Sequence, residues 1–160
     1  MMKRNIAISI ICILMLCVLT GCKAKKAVSA YEFKIKAESL NYTIVNETYT
    51  SIPSSYKSLL EDSVIARSTN GYRVEFYVFE DKHDAKECYK ELKERYESYS
   101  ANKTKKTKNS IGNFSSYSST MNGYYTYICR VDNTMIYVRA KASYKNDIKE
   151  FMKELGYTLL

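Results

Sequence analysis

The sequence predicts an α+β fold, a mainly antiparallel sheet of about six strands with helices packed on it. Three observations carry that prediction. Stretches with apolar residues at the three-and-four spacing of a helix face recur along the chain. The segments between them alternate in polarity and are rich in Val, Ile, Tyr and Thr. The dipeptides Asn70-Gly71 and Asn122-Gly123 and the tripeptide Asp132-Asn133-Thr134 join such segments by tight turns, which force antiparallel neighbours. Composition agrees: 160 residues make room for one domain, and 46% hydrophobic against 26% charged residues, with one Pro and five Gly, exclude a disordered or low-complexity chain.

Ala30, Phe33, Ala37 and Leu40 share one helical face, predicting a helix over residues 28–40 that Asn41 closes in a left-handed conformation. Tyr42 to Tyr49 alternates as a strand, and Pro53 with its flanking serines breaks it. Ser63 to Ser68 and Tyr72 to Phe79 form a hairpin around Asn70-Gly71. Asp81 caps the next helix, with Asp84 three residues on, and Ala85, Cys88, Tyr89, Leu92 and Tyr96 are its buried stripe. A polar tract from Ser98 to Ser110 is expected to be a loop. Strands follow at Phe114–Thr120, Tyr125–Val131 and Met135–Ala140, then a helix with Ile148, Phe151, Met152 and Leu155 that Gly156 stops. The order is α-βββ-α-βββ-α. An echo at an offset of 63 residues relates Lys82–Leu92 to Lys145–Leu155, and either a duplication or the chance likeness of Lys/Glu-rich helices explains it.

The first segment reads as an address. Lys3 and Arg4 precede an apolar run from Ile6 to Leu19, shorter than the roughly 20 residues that a membrane span needs, and Thr20, Gly21 and Cys22 follow. Leu19-Thr20-Gly21-Cys22 resembles the lipobox of bacterial lipoproteins. The resemblance implies a signal peptide over 1–21 and a diacylglyceryl group on the Cys22 sulfur. Cys22 then becomes the first residue of a protein held by its acyl chains on the extracytoplasmic face of the cell membrane. Residues 22–29, with Lys23, Lys25 and Lys26, are then a basic tether, and 30–160 a single ectodomain. In outline that ectodomain is similar to small uncharacterised lipoproteins of Gram-positive bacteria, a similarity that brings no catalytic motif.

With Cys12 and Cys17 in the signal and Cys22 acylated, Cys88 and Cys129 are the remaining thiols. Both fall on apolar stripes and are expected in one core, either bridged as a disulfide or as two buried free thiols. A single His, His83, in the first turn of a helix, leaves Ser-His-Asp chemistry without a base, and no metal-ligand spacing or phosphate-cradling Gly motif occurs. No cofactor is implied.

Strand parity sets Val74, Phe76, Val78, Tyr125, Tyr127, Cys129, Val131, Ile136 and Val138 toward the helices. The reverse face then carries Arg73, Tyr77, Phe79, Ile128, Arg130, Met135, Tyr137 and Arg139. Of these, Arg73, Tyr77, Phe79, Arg130, Tyr137 and Arg139 are of the types that interfaces enrich, so this face is either a partner site or is covered by a helix of the same chain. Lys103, Lys105, Lys106 and Lys108 form a basic cluster on the loop expected from Ser98 to Ser110, either simply solvated or a contact for a polyanion outside the cell, an anionic lipid or wall polymer rather than nucleic acid.

The expectation is a non-catalytic binding or interaction module at the cell envelope, whose partners are membrane lipid, an envelope protein or an anionic wall polymer. The rival expectation is an enzyme acting on wall polysaccharide through two carboxylates drawn from Glu61, Asp62, Glu75, Glu80, Asp81 and Asp132.

Overall fold

The computed structural model describes residues 24–47, 50–99 and 105–159. The helices are α1 (Ala30–Ser39), α2 (Lys82–Ser98) and α3 (Lys145–Glu154). The strands are β1 (Thr43–Val45), β2 (Leu60–Arg67), β3 (Arg73–Phe79), β4 (Lys105–Ile111), β5 (Phe114–Met121), β6 (Tyr124–Val131) and β7 (Thr134–Lys141), with short 3-10 turns before β2 and α3. All seven strands join one antiparallel sheet in the order β1-β2-β3-β7-β6-β5-β4. The α+β class stands, with the element order amended to α-βββ-α-ββββ-α.

The added strand is β4. Its sequence, Lys-Lys-Thr-Lys-Asn-Ser-Ile, has no apolar alternation, so local pattern pointed to a loop. Pairing with β5 makes the strand, from Lys105 opposite Thr120 to Ile111 opposite Phe114, through the turn at Gly112-Asn113. Of the segment expected as the first strand, Thr43 to Val45 pair with β2 among the described residues, and Thr48 and Tyr49 lie outside them.

Local signals account for the other boundaries. Ser29 and Glu32 form a reciprocal capping box at α1: Glu32 N–H donates to Ser29 Oγ at 3.1 Å and Ser29 N–H donates to Glu32 Oε2 at 2.7 Å. Those hydrogen bonds, with Lys26 alongside, hold the Glu32 carboxyl below its ordinary range. Asn41 takes a positive φ of 63° past the end of α1, and Asn122 and Gly123, at 51° and 78°, make the β5–β6 turn. Asp81 caps α2 by accepting from the His83 N–H at 2.5 Å, and His83 itself is exposed.

Two apolar clusters sandwich the sheet. On one face α1 and α3 cover Val74, Phe76, Cys129, Ile136 and Val138, with Phe33 stacked on Phe76 at 4.6 Å and edge-on to Phe151 at 6.0 Å. On the other face α2 lays Ala85, Cys88, Tyr89 and Leu92 over Tyr77, Phe79, Tyr117, Ile128, Met135 and Tyr137. Each fully buried side chain of this size contributes roughly 1.5–3 kcal/mol, and both faces are needed to seal the sheet. Cys88 and Cys129 therefore lie on opposite sides of the sheet and are free and buried. This corrects the expectation of a shared core and leaves no disulfide between them. Burial pushes the Cys88 thiol up to about 12 and Cys129 higher still. The echoing segments form α2 and α3, and the two helices pack on opposite faces of the sheet.

Residues 25–28, within the segment expected as a basic tether, are hydrogen-bonded to the domain. Lys25 N–H donates to Asn113 Oδ1 at 2.9 Å, and Asn113 Nδ2 donates back to Lys25 O at 2.7 Å and on to Asp132 Oδ2 at 2.8 Å. Lys25 Nζ reaches Gly156 O at 3.0 Å, and Val28 N–H donates to the Tyr157 hydroxyl at 3.2 Å. The chain thus enters at the end of the sheet that carries the β4–β5 and β6–β7 turns. No helix among the described residues is long and apolar enough to cross a membrane.

Candidate functional site

Helix α2 decides which part of the reverse face stays open. Its 17 residues run from the turn at Asp81, beside the β6–β7 loop, across β3, β7 and β6. The cross-sheet row Glu75, Tyr137, Ile128 and Tyr117 lies at the limit of its cover. One row further on, the side chains turn polar: Arg139, Thr126 and Ser119 are register partners. A cleft of about 540 Å³ opens there, between the sheet and the C-terminal end of α2.

Three cations and four tyrosines line this cleft: Arg73 and Arg139 from the sheet, Arg95 from α2, and Tyr96, Tyr99, Tyr124 and Tyr137. The Arg139 guanidinium lies 4.2 Å from the centre of the Tyr124 ring, a cation–π stack on an exposed side chain. Arg95 pairs with Glu91 at 3.3 Å one helical turn away. The Tyr96 and Tyr137 hydroxyls share a hydrogen bond, and burial holds the Tyr137 phenol well above its ordinary range. Tyr99 is 69% exposed.

Glu75 closes the floor at 1% exposure. Ser51 N–H and Ser51 Oγ both donate to it at 2.7 Å, Tyr77 OH donates to it, and Arg73 Nε pairs with it at 2.9 Å. Arg73 also reaches Glu47 at 3.0 Å, and Glu47 bonds Arg67 in turn. Burial works against the Arg73 charge, but Glu75 and Glu47 outweigh it and raise its pKa. Burial and the adjacent Glu75 carboxylate hold the Tyr77 phenol far above its usual range.

Of the six reverse-face residues, the cleft brings together Arg73, Tyr137 and Arg139. Tyr77, Phe79 and Arg130 are buried under α2, so the covered alternative holds for the centre of the face. Arg130 donates to Asp132 O at 2.9 Å, and burial lowers its pKa. Continuing the parity of Ile128 and Arg130 leads to Thr126 and Tyr124, a signal for two lining residues that had not been picked out. Arg95, Tyr96 and Tyr99 became neighbours of the sheet only through the path of α2, and Ser51 only through the loop before β2.

Lys105, Lys106 and Lys108 stand on β4, exposed, with Lys108 paired to Glu97 at 2.6 Å. Lys103 and Cys22 lie outside the described residues. Among the carboxylates, Asp81 caps a helix, Asp132 accepts from Asn113, and Glu61, Asp62 and Glu80 are exposed, which leaves Glu75 as the one acid lining the cleft. Among the described residues no group of three or more His, Cys, Asp or Glu side chains is arranged to hold a metal ion.

No family model matches the chain, and no curated protein matches it. Among solved structures it is similar to a GTP binding regulator from Thermotoga maritima, with 18% sequence identity over 82% of this chain and 87% of that one and a TM-score of 0.49.

Proposed function

We propose that this chain is a lipid-anchored extracytoplasmic lipoprotein that acts as a non-catalytic binding module at the cell envelope. The observation that carries the binding role is the arginine- and tyrosine-lined cleft beyond the end of α2. Guanidinium groups recognise carboxylate or phosphate, and tyrosine rings offer flat apolar surface at small entropic cost, so the cleft suits an anionic ligand with a ring or planar body. Hydrolysis of a polysaccharide through a carboxylate pair is the weaker reading, because Glu75 is the one acid lining the cleft and its oxygens are occupied by Ser51, Tyr77 and Arg73.

The anchor rests on the Leu19-to-Cys22 motif, and the docked strap gives it a geometric consequence. Three residues of extended chain span at most about 10 Å, so an acylated Cys22 would hold the Asn113 and Asp132 turns near the bilayer. The cleft lies at the opposite end of β6, whose length is roughly 25 Å, and would face away from the membrane.

Metabolic labelling with a fatty-acid analogue tests the anchor. Label is expected on the wild-type chain and not on Cys22→Ser, and an unlabelled wild type overturns it. The cleft is tested on purified protein by thermal-shift titration with anionic sugars and with aromatic amino acids bearing a free carboxylate. Any stabilising ligand should lose about tenfold in affinity on Arg139→Glu. Ligands that bind the variant equally well would move the site elsewhere.

A further inference from the structure

Helix α3 carries its charges in two stripes. Lys145, Lys149 and Lys153 follow one another at i, i+4 and i+8, so neighbours on that side repel. Asp147, Glu150 and Glu154 lie on the other flank beside Leu40 and Tyr42, where Glu154 pairs with Lys36 of α1 at 2.9 Å. Helix α2 interleaves its charges instead, pairing Glu91 with Arg95 and Glu87 with Lys90. Among the described residues, Lys145, Lys149 and Lys153 make no ion pair. The lysine stripe therefore sets like charges side by side, with Lys145 lying 5.4 Å from the centre of the Tyr125 ring and Lys153 acting on the neighbouring Glu154 without a direct ion pair.

This ridge is one wall of a groove of about 360 Å³. The other wall is the β4–β5 ribbon, which contributes the polar side chains of Thr107, Ser116 and Ser118, and none of the residues lining the groove is acidic. Lys105 shares the strand face of Thr107. The feature is distinct from the cleft, which opens on the opposite face of the sheet.

We propose that this groove binds a linear phosphodiester polymer of short polyols, laid along α3 with successive phosphates at Lys145, Lys149 and Lys153. Four residues of helix rise about 6 Å, so the ammonium groups recur at the spacing of a three-carbon polyol phosphate repeat. The hydroxyls of the β4–β5 wall serve the polyol and the phosphate oxygens, as donors or acceptors. A groove takes a single strand, whereas a flat bilayer reaches only its rims. The assignment carries the polyanion contact of Lys105 into a built channel, while Lys106 and Lys108 stand on the other face of β4. It rests on the envelope reading only for which polymer the protein meets in the cell.

The test uses the full-length protein in non-ionic detergent, titrated with synthetic poly(glycerol phosphate) at about 0.1 M salt. The double variant Lys149→Gln, Lys153→Gln should bind about tenfold more weakly, and its plot of log affinity against log salt should flatten by about 1.4 to 1.8 in slope as counterion release is lost. The double variant Lys34→Gln, Lys57→Gln removes the same charge from other surfaces and should bind within about twofold of wild type. An unchanged helix circular dichroism spectrum excludes misfolding. The proposal fails if the wild type does not bind the polymer, if both double variants weaken alike, or if the α3 variant loses binding to phosphatidylglycerol vesicles but keeps the polymer. The titration reads the groove whether or not Cys22 is acylated, so its failure is told apart from failure of the lipid label.

Discussion

Glu75 shows how a single position joins stability to the site. A carboxylate at 1% exposure loses several kcal/mol of hydration, and it is tolerated here because Ser51, Tyr77 and Arg73 supply donors to both oxygens. Removing the charge would take away one of the carboxylates that neutralise the half-buried Arg73 guanidinium, which also pairs with Glu47. Glu75→Gln is therefore expected to cost about 3 kcal/mol, read as a lower urea midpoint at unchanged m-value. A loss below about 0.5 kcal/mol would show that the network is ornamental to folding. The side of the sheet on which Glu75 stands was legible in the sequence, because Arg73, Glu75 and Tyr77 alternate with Val74 and Phe76. Its partner Ser51 was not, since 24 residues and a break at Pro53 separate the two. The thiols teach the same lesson: apolar stripes marked both as buried, and only packing put Cys88 and Cys129 on opposite faces.

At the scale of elements, β4 is the informative strand. Among the described strands it forms an edge of the sheet, with most of its side chains exposed. Lysines at Lys105 and Lys106 blunt that edge, since a second strand would have to bury their charges. Replacing them by Lys105→Thr and Lys106→Val raises strand propensity and removes two charges. In sedimentation experiments the variant should associate at lower concentration than the wild type, and a variant that associates no more than the wild type would mean that the edge is protected by something else. Strands whose buried face alternates, such as β3, β6 and β7, were readable from local pattern. β4 was not, because its stability comes from β5, and the cue at Gly112-Asn113 identifies a turn without saying that a polar tract pairs across it. Helix α2 was readable as an element, from its Asp81 cap and its stripe, but its path over the reverse face was not.

The whole molecule stores many phenols in a dry interior. Burial is the leading cause that raises the pKa of Tyr77, Tyr89, Tyr127, Tyr137 and Tyr157 above the ordinary value. Below about pH 9 both the folded and the unfolded chain keep these protons, and stability is at its full value. Above about pH 10 the unfolded chain releases them while the folded chain holds them, so each buried tyrosine removes up to about 1.4 kcal/mol of stability per pH unit. Five such groups would exhaust a typical domain stability within one to two pH units. The expected outcome is one cooperative alkaline transition near pH 11, in which phenolate absorbance and loss of circular dichroism coincide. A smooth phenolate titration at about pH 10 with the fold retained would contradict it. By itself the sequence determined the α+β class, the faces of the alternating strands, the helix caps and the turn chemistry, because these depend on neighbours a few residues away. Tertiary structure alone decided which face α2 covers, where its cover stops, that β4 pairs, and that residues 25–28 dock on the Asn113 turn. Those outcomes depend on burial and pairing between residues as far as 88 and 131 apart in the chain, and no local periodicity encodes them.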